Sequence, residues 1–152
     1  MKILELKVHP PLVLLFCLGL VYGLNHLLPK QTMPSILSGL YGFIGLTGGL
    51  IAIAGVWEFR RVKTTINPTK PEKTTQLVTR GIYQFTRNPM YLGMCLIIMA
   101  AAFKLANYYG FIALPIFIFY ITEFQIKPEE RIITGIFGEP YLDYKKKVRR
   151  WL

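Results

Sequence analysis

Two short segments of this chain carry residue types that chemistry can use. The first is Arg87-Asn88-Pro89-Met90-Tyr91-Leu92-Gly93, and the second is Pro128-Glu129-Glu130. A guanidinium such as that of Arg87 can grip a carboxylate through two parallel hydrogen bonds. The amide of Asn88 donates and accepts through one side chain, which suits the edge of a heterocycle. Tyr83 and Tyr91 each add a flat ring and a hydroxyl. Glu129 and Glu130 offer carboxylates to an ammonium group or to ribose hydroxyls. Each residue also has a plain structural use. Arg87 can anchor at headgroups, the tyrosines can join an interfacial aromatic belt, and acids suit a helix N-terminus. Their clustering points to a polar-headed, partly aromatic pocket. The catalytic residue is left unassigned, with Arg87 and Glu130 as candidates.

The absent motifs narrow the chemistry further. The sequence holds no Ser–His–Asp set, zinc-ligand spacing or phosphate-binding loop. His9 and His26 stand alone, and interfacial packing accounts for both. Cys17 and Cys95 lie in apolar stretches, so neither a structural disulfide nor a metal site is expected. What is left is a reaction in which a cofactor does the hard chemistry and the protein aligns the reactants. Methyl transfer from a sulfonium is of that kind. Alignment alone can lower its barrier by roughly 7–11 kcal/mol.

The elements that must position these residues follow from the charge pattern. Residues 8–29, 31–57, 88–103 and 105–122 carry no Lys, Arg, Asp or Glu. A helix needs roughly 20 apolar residues to cross a hydrocarbon core, and bare backbone in lipid must be helical. The expected fold is therefore all-α. It is a polytopic membrane bundle of about four transmembrane helices, near 10–28, 35–58, 89–104 and 107–126. The last two form a tight hairpin with Asn107 near its tip. Residues 1–152 make one integral membrane domain, with a loop at 59–88 and a helical tail at 127–152. The first apolar run is too long for a cleavable signal peptide.

The formal net charge is +10 and the mean hydropathy +0.39. The charge follows topology rather than pointing to nucleic acid. All of the 18 basic residues except Lys30 and Lys104 fall before the first span, between the second and third, or after the fourth. The positive-inside rule then makes both termini, the long loop and the active site cytoplasmic. It also sets basic segments against anionic membrane lipids. Gly19 and Gly23, and Gly45 and Gly49, have the spacing that lets helices approach closely in lipid. The first two spans are expected to pack on each other through them. Asn67-Pro68 and Lys70-Pro71 mark irregular chain from Thr64 to Lys73. Leu77-Val78 requires burial, and Gly81 suits a tight turn. Pro128-Glu129-Glu130 is expected to open a new helix ending at Gly138. Another, Tyr141 to Arg150, is expected to lie along the membrane surface.

The runs Leu77-Val78-Thr79-x-Gly81-x-Tyr83, Arg87-Asn88-Pro89-x-Tyr91-x-Gly93, Glu129-Glu130 and Phe137-Gly138-x-x-Tyr141-x-x-Tyr144-x-x-x-Val148 resemble the isoprenylcysteine carboxyl methyltransferase and phospholipid methyltransferase family. The resemblance covers about residues 58–150. It implies an integral membrane enzyme that uses S-adenosylmethionine. Cofactor binding would then fall to Thr75, Gln76, Leu77, Val78, Tyr83, Asn88, Pro89, Met90, Tyr91 and Glu129, with Arg87 and Glu130 supporting them. The resemblance also brings the cofactor in from the cytosol and a lipophilic substrate in from the bilayer, with Gln125 at the substrate position. The family's best-known members have His in place of Asn88, and an asparagine cannot serve as a base near neutral pH. Prenylcysteine-specific members have Arg in place of Gln125, and a neutral amide holds a carboxylate poorly.

The leading expectation is methyl transfer to an isoprenoid, prenylcysteine-like molecule or lipid. Two others stand beside it: a membrane reductase of the related sterol-reductase type, and a non-enzymatic adaptor binding anionic lipids. Both a monomer and a homodimer are compatible with the glycine-lined helices.

Overall fold

The computed structural model describes residues 5–29, 33–62, 71–106 and 108–152. It is all-helical among these residues. Helix α1 spans Pro10–Leu27, a short α2 spans Ser35–Gly39, and α3 spans Tyr41–Arg61. Helix α4 spans Pro89–Lys104, α5 Ala113–Ile121, α6 Lys127–Phe137 and α7 Glu139–Lys147. Three continuous helical stretches are long and apolar enough to cross a membrane: Pro10–Leu27, Ser35–Arg61 and Tyr108–Phe137. Helix α4 has 16 residues. At about 1.5 Å per residue it measures about 24 Å, short of a hydrocarbon core of about 30 Å. The expected hairpin tip, Asn107, and the loop residues 63–70 lie outside the described residues.

The glycines do not pair as expected. Helix α3 packs along α4, while α1 packs against α4 and α5. A Cβ placed on Gly19, Gly23 or Gly49 would meet nothing within 4 Å. The close crossing is instead between Gly48 and Gly93. A Cβ on Gly93 would come 2.5 Å from the Gly48 carbonyl oxygen and 2.8 Å from Ala52 Cβ. Small-residue spacing marks a face that can approach a neighbour, but it does not name the neighbour. Helix α4 supplies the matching glycine.

The fourth apolar run also departs from expectation. It does not end near 126 but continues through a π turn at Thr122–Ile126 into α6. Pro128 accounts for this. A proline ring inside a helix collides with the carbonyl four residues back, and it brings no N–H to bond it. That carbonyl belongs to Phe124. Widening the turn relieves the collision, with the Lys127 N–H reaching back to the Thr122 carbonyl. The orphaned Phe124 oxygen accepts instead from the Leu6 N–H at 2.9 Å. The N-terminal segment is further tied down by Glu5, which pairs with Arg131 at 2.5 Å.

Two cores result. One joins Val13, Cys17 and Val21 of α1 to Tyr91, Cys95 and Ile98 of α4 and to Phe117 and Ile121. The other joins Val78 and Tyr83 of the loop to Tyr141, Tyr144 and Val148. The loop's Leu77-Val78 pair thus finds its cover in α7. Helix α7 therefore turns its apolar side to the loop rather than laying it on the membrane. It also stops at Lys147, and Val148 is extended with φ −121° and ψ 131°, so the helix expected through Arg150 ends early. Gly81 makes its turn with φ +56°, and Gly138 separates α6 from α7 with φ +59°. The N-terminal segment, the loop and the tail gather at one end of the bundle. Lys104 lies at the other, over the Tyr41 ring.

The glycine crossing makes opposite expectations at two positions. Gly93→Ala forces the α3–α4 contact apart at about 1–3 kcal/mol, more than the roughly 1 kcal/mol it gains in helix propensity. Gly49→Ala keeps the propensity gain and meets no neighbour. Thermal unfolding in detergent is expected to fall for the first and to hold or rise for the second.

Candidate active site

The start of α4 is fixed by its own sequence. Pro89 sits in the first turn, where its missing N–H costs nothing and its φ is pre-set. Asn88 precedes it in a non-helical conformation, φ −131° and ψ 56°. Its backbone N–H donates to Thr86 Oγ1 at 3.2 Å. This places Tyr91 one turn in, facing α6. The Tyr91 hydroxyl donates to Glu129 Oε1 at 2.7 Å.

The π turn supplies the second donor. Gln125 is buried, and its Nε2 donates to the same Glu129 Oε1 at 2.6 Å. Tyr91, Gln125 and Glu129 thus form one connected polar group.

Glu130, the next residue, turns to a different partner set. Arg87 Nη2 lies 2.7 Å from its Oε1, and Arg150 reaches both oxygens, Nε to Oε1 at 3.1 Å and Nη2 to Oε2 at 2.8 Å. Lys145 Nζ stands 3.9 Å away. The Glu130 and Arg87 side chains are each only 9% exposed. The hydrogen bonds to Glu130 hold the Arg150 guanidinium above its ordinary pKa. Arg87 also donates from Nη1 to the Lys145 carbonyl at 3.3 Å.

A cleft lies between these groups and the loop. Its walls include Phe59, Leu77, Val78, Tyr83, Met90 and Ile133, and Glu129 and Tyr91 form its polar end. The Phe59 and Tyr83 ring centroids are 5.4 Å apart. Tyr83 is 4% exposed, yet its hydroxyl has no hydrogen-bond partner in the structure, and neither has Arg87 Nε. Burial pushes the phenols of Tyr83, Tyr141 and Tyr144 above their ordinary range, so all three keep their protons. Tyr144 uses its proton on the Tyr83 carbonyl at 2.6 Å.

Of the residues singled out from sequence, Leu77, Val78, Tyr83, Asn88, Met90, Tyr91, Glu129, Arg87 and Glu130 all border this cleft. Thr75 and Gln76 do not, and both are exposed. Pro89 is buried as a helix start, and Gln125 is turned onto Glu129. Sequence reasoning missed Phe59, Thr86 and Arg150. Phe59 ends a span and Arg150 sits in a basic run, and neither has a local signal that sets it apart. Among the described residues, no group of three His, Cys, Asp or Glu side chains could hold a metal.

The phospholipid methyltransferase family pattern matches residues 36–140. This chain belongs to that family. The matched residues run from α2 to the start of α7 and include the start of α4 and both glutamates. The chain is also similar to protein-S-isoprenylcysteine O-methyltransferases. It is 35% identical over 83 residues to the one from Saccharomyces cerevisiae, and 30% identical over 80 residues to the one from Schizosaccharomyces pombe. Each alignment covers 53% of this chain and 34% of the yeast protein, so the chain spans about a third of those relatives. An uncharacterized protein of Haemophilus influenzae is 44% identical over 63 residues, 41% of this chain and all of that protein. No solved structure matches.

The shared carboxylate should control stability. Glu130→Gln leaves the Arg87 guanidinium buried without its counter-charge, a cost of about 3–5 kcal/mol. Arg131→Ala breaks an exposed pair worth about 1 kcal/mol or less. Thermal unfolding is expected to show a large loss for the first and almost none for the second.

Proposed function

We propose that this protein transfers a methyl group from S-adenosylmethionine to a small lipophilic acceptor at the cytoplasmic membrane face. The observation that carries the reading is the cleft itself. A carboxylate, a buried phenol with no partner and a paired-ring wall converge on one space. A buried polar group without a partner costs about 1–3 kcal/mol, and a bound ligand removes that cost.

These residues fit the donor. Glu129 is the acceptor for its ammonium group or ribose hydroxyls. The Tyr83 hydroxyl, kept protonated by burial, is a hydrogen-bond donor to it. The rings of Phe59 and Tyr83 offer a face to its heterocycle, and Leu77, Val78, Met90 and Ile133 exclude water. Thr75 and Gln76 lie outside the wall and drop out of this assignment. When bound, S-adenosylmethionine supplies an electrophilic methyl on sulfur. The protein's contribution is orientation: Tyr91 and Gln125 hold Glu129, and Arg87 and Glu130 hold the helix start beside it. Asn88 is not a base in this scheme, since a carboxamide takes no proton near neutral pH; its side-chain N–H donates to the Arg150 carbonyl at 2.9 Å.

The acceptor, an isoprenoid, prenylcysteine-like molecule or lipid, reaches the cleft from the bilayer. The cytoplasmic assignment is supported by the basic residues, which cluster at the cleft end of the bundle.

Calorimetric titration of the detergent-purified protein with S-adenosylmethionine is the decisive test. Saturable binding is expected. Glu129→Gln should weaken it about tenfold or more, the scale of a hydrogen bond to a charged group. Tyr83→Phe should cost roughly 2- to 10-fold, the scale of a neutral one. No heat and no protection from thermal unfolding would sink the reading. A transfer assay with labelled donor and a membrane lipid extract then identifies the acceptor.

A further inference from the structure

The C-terminal segment beyond α7 returns to the start of α4 and binds Thr86, Arg87 and Asn88. The Arg87 N–H donates to the Arg149 carbonyl at 3.0 Å. Thr86 Oγ1 and Asn88 Nδ2 both donate to the Arg150 carbonyl, at 3.3 and 2.9 Å. The Arg150 side chain then crosses to Glu130 on α6 with a two-pronged contact to both oxygens. On either side, Val148 is buried in the loop core and Trp151 packs against the bundle core. Arg150 therefore bridges two helices at once. Its carbonyl holds α4 three residues before Tyr91, and its guanidinium holds α6 one residue after Glu129. It is not among the residues lining the cleft.

We propose that Arg150 is a positioning residue. It sets the separation of α4 from α6 and so maintains the Tyr91–Glu129 hydrogen bond that shapes the polar end of the cleft. The proposal rests on the donor-binding reading for its functional readout, but it has a readout of its own. A guanidinium is needed because its planar fork meets both carboxylate oxygens, whereas an ammonium is a single point charge. Asn88 serves the same clamp from the other side, which explains an asparagine whose amide is directed at a backbone carbonyl.

The test has two arms. In the ligand-free protein, hydrogen exchange by mass spectrometry is read over residues 88–92 and 126–130. Arg150→Ala is expected to speed exchange in both segments, Arg150→Lys to do so less, and Lys146→Ala to leave both unchanged. Wild-type exchange in Arg150→Ala overturns the proposal. In the second arm, S-adenosylmethionine affinity is measured for Arg150→Ala, Tyr91→Phe and the double variant. Each single change is expected to weaken binding by about tenfold, and the double variant little more than either, because residues acting through one contact are not additive. Fully additive losses mean that Arg150 acts only on general stability, and they overturn the positioning role. If wild type binds no S-adenosylmethionine while Arg150→Ala still loosens both segments, the donor assignment fails and the clamp stands.

Discussion

One buried carboxylate holds the functional end of this molecule together. Glu130 is shared by Arg87 from the start of α4 and Arg150 from the tail, with Lys145 close by. Taking such charges out of water costs several kcal/mol per ion, and only good geometry with further hydrogen bonds offsets it. Here the geometry is supplied from three separate parts of the chain. Loop, α6 and tail must therefore arrive together for any of these charges to be buried at tolerable cost. The cluster also separates the work of two neighbouring glutamates. Successive helical residues point about 100° apart, so Glu130 faces the cations while Glu129 faces Tyr91, Gln125 and the cleft.

A second constraint comes from a single proline. Pro128 denies the Phe124 carbonyl its usual helical partner, and two features answer that loss. The π turn makes room, and the Leu6 N–H supplies the missing donor. The same turn carries Gln125 inward onto Glu129. A backbone irregularity within the Tyr108–Phe137 stretch thus becomes part of the polar group that borders the cleft, and π turns often sit at functional sites.

Much of the frame was legible before any coordinates. Charge-free runs located the helices because lipid tolerates neither charge nor unpaired backbone. Pro89, Gly81 and Gly138 marked a helix start and two turns, since their backbone limits are local. The Arg87–Tyr91 and Glu129–Glu130 segments were visible as a cluster for the same reason: both sit at ends of apolar runs. Helix partners were not legible. Gly19 and Gly23 share the spacing of Gly45 and Gly49, yet a Cβ on Gly19, Gly23 or Gly49 would meet nothing within 4 Å, and the close crossing falls to Gly48. Nor was α7's apolar side, which on its own pattern suits a membrane surface as well as the loop that covers it.

The sequence by itself determined the membrane-helical class, the end of the bundle where polar residues gather, and most of the polar and aromatic residues bordering the cleft. Those depend on local composition and on short-range backbone rules. Leu77, Val78 and Met90 entered through the family resemblance. Only the tertiary structure decided which donors each carboxylate receives, that Asn88 faces a carbonyl, and that Arg150 bonds both Glu130 and the start of α4. Apart from the Gln125–Glu129 bond, four residues apart, these depend on contacts between residues separated by 20 to 64 positions. Spacing along the chain has no bearing on such contacts until helices and tail are packed in three dimensions.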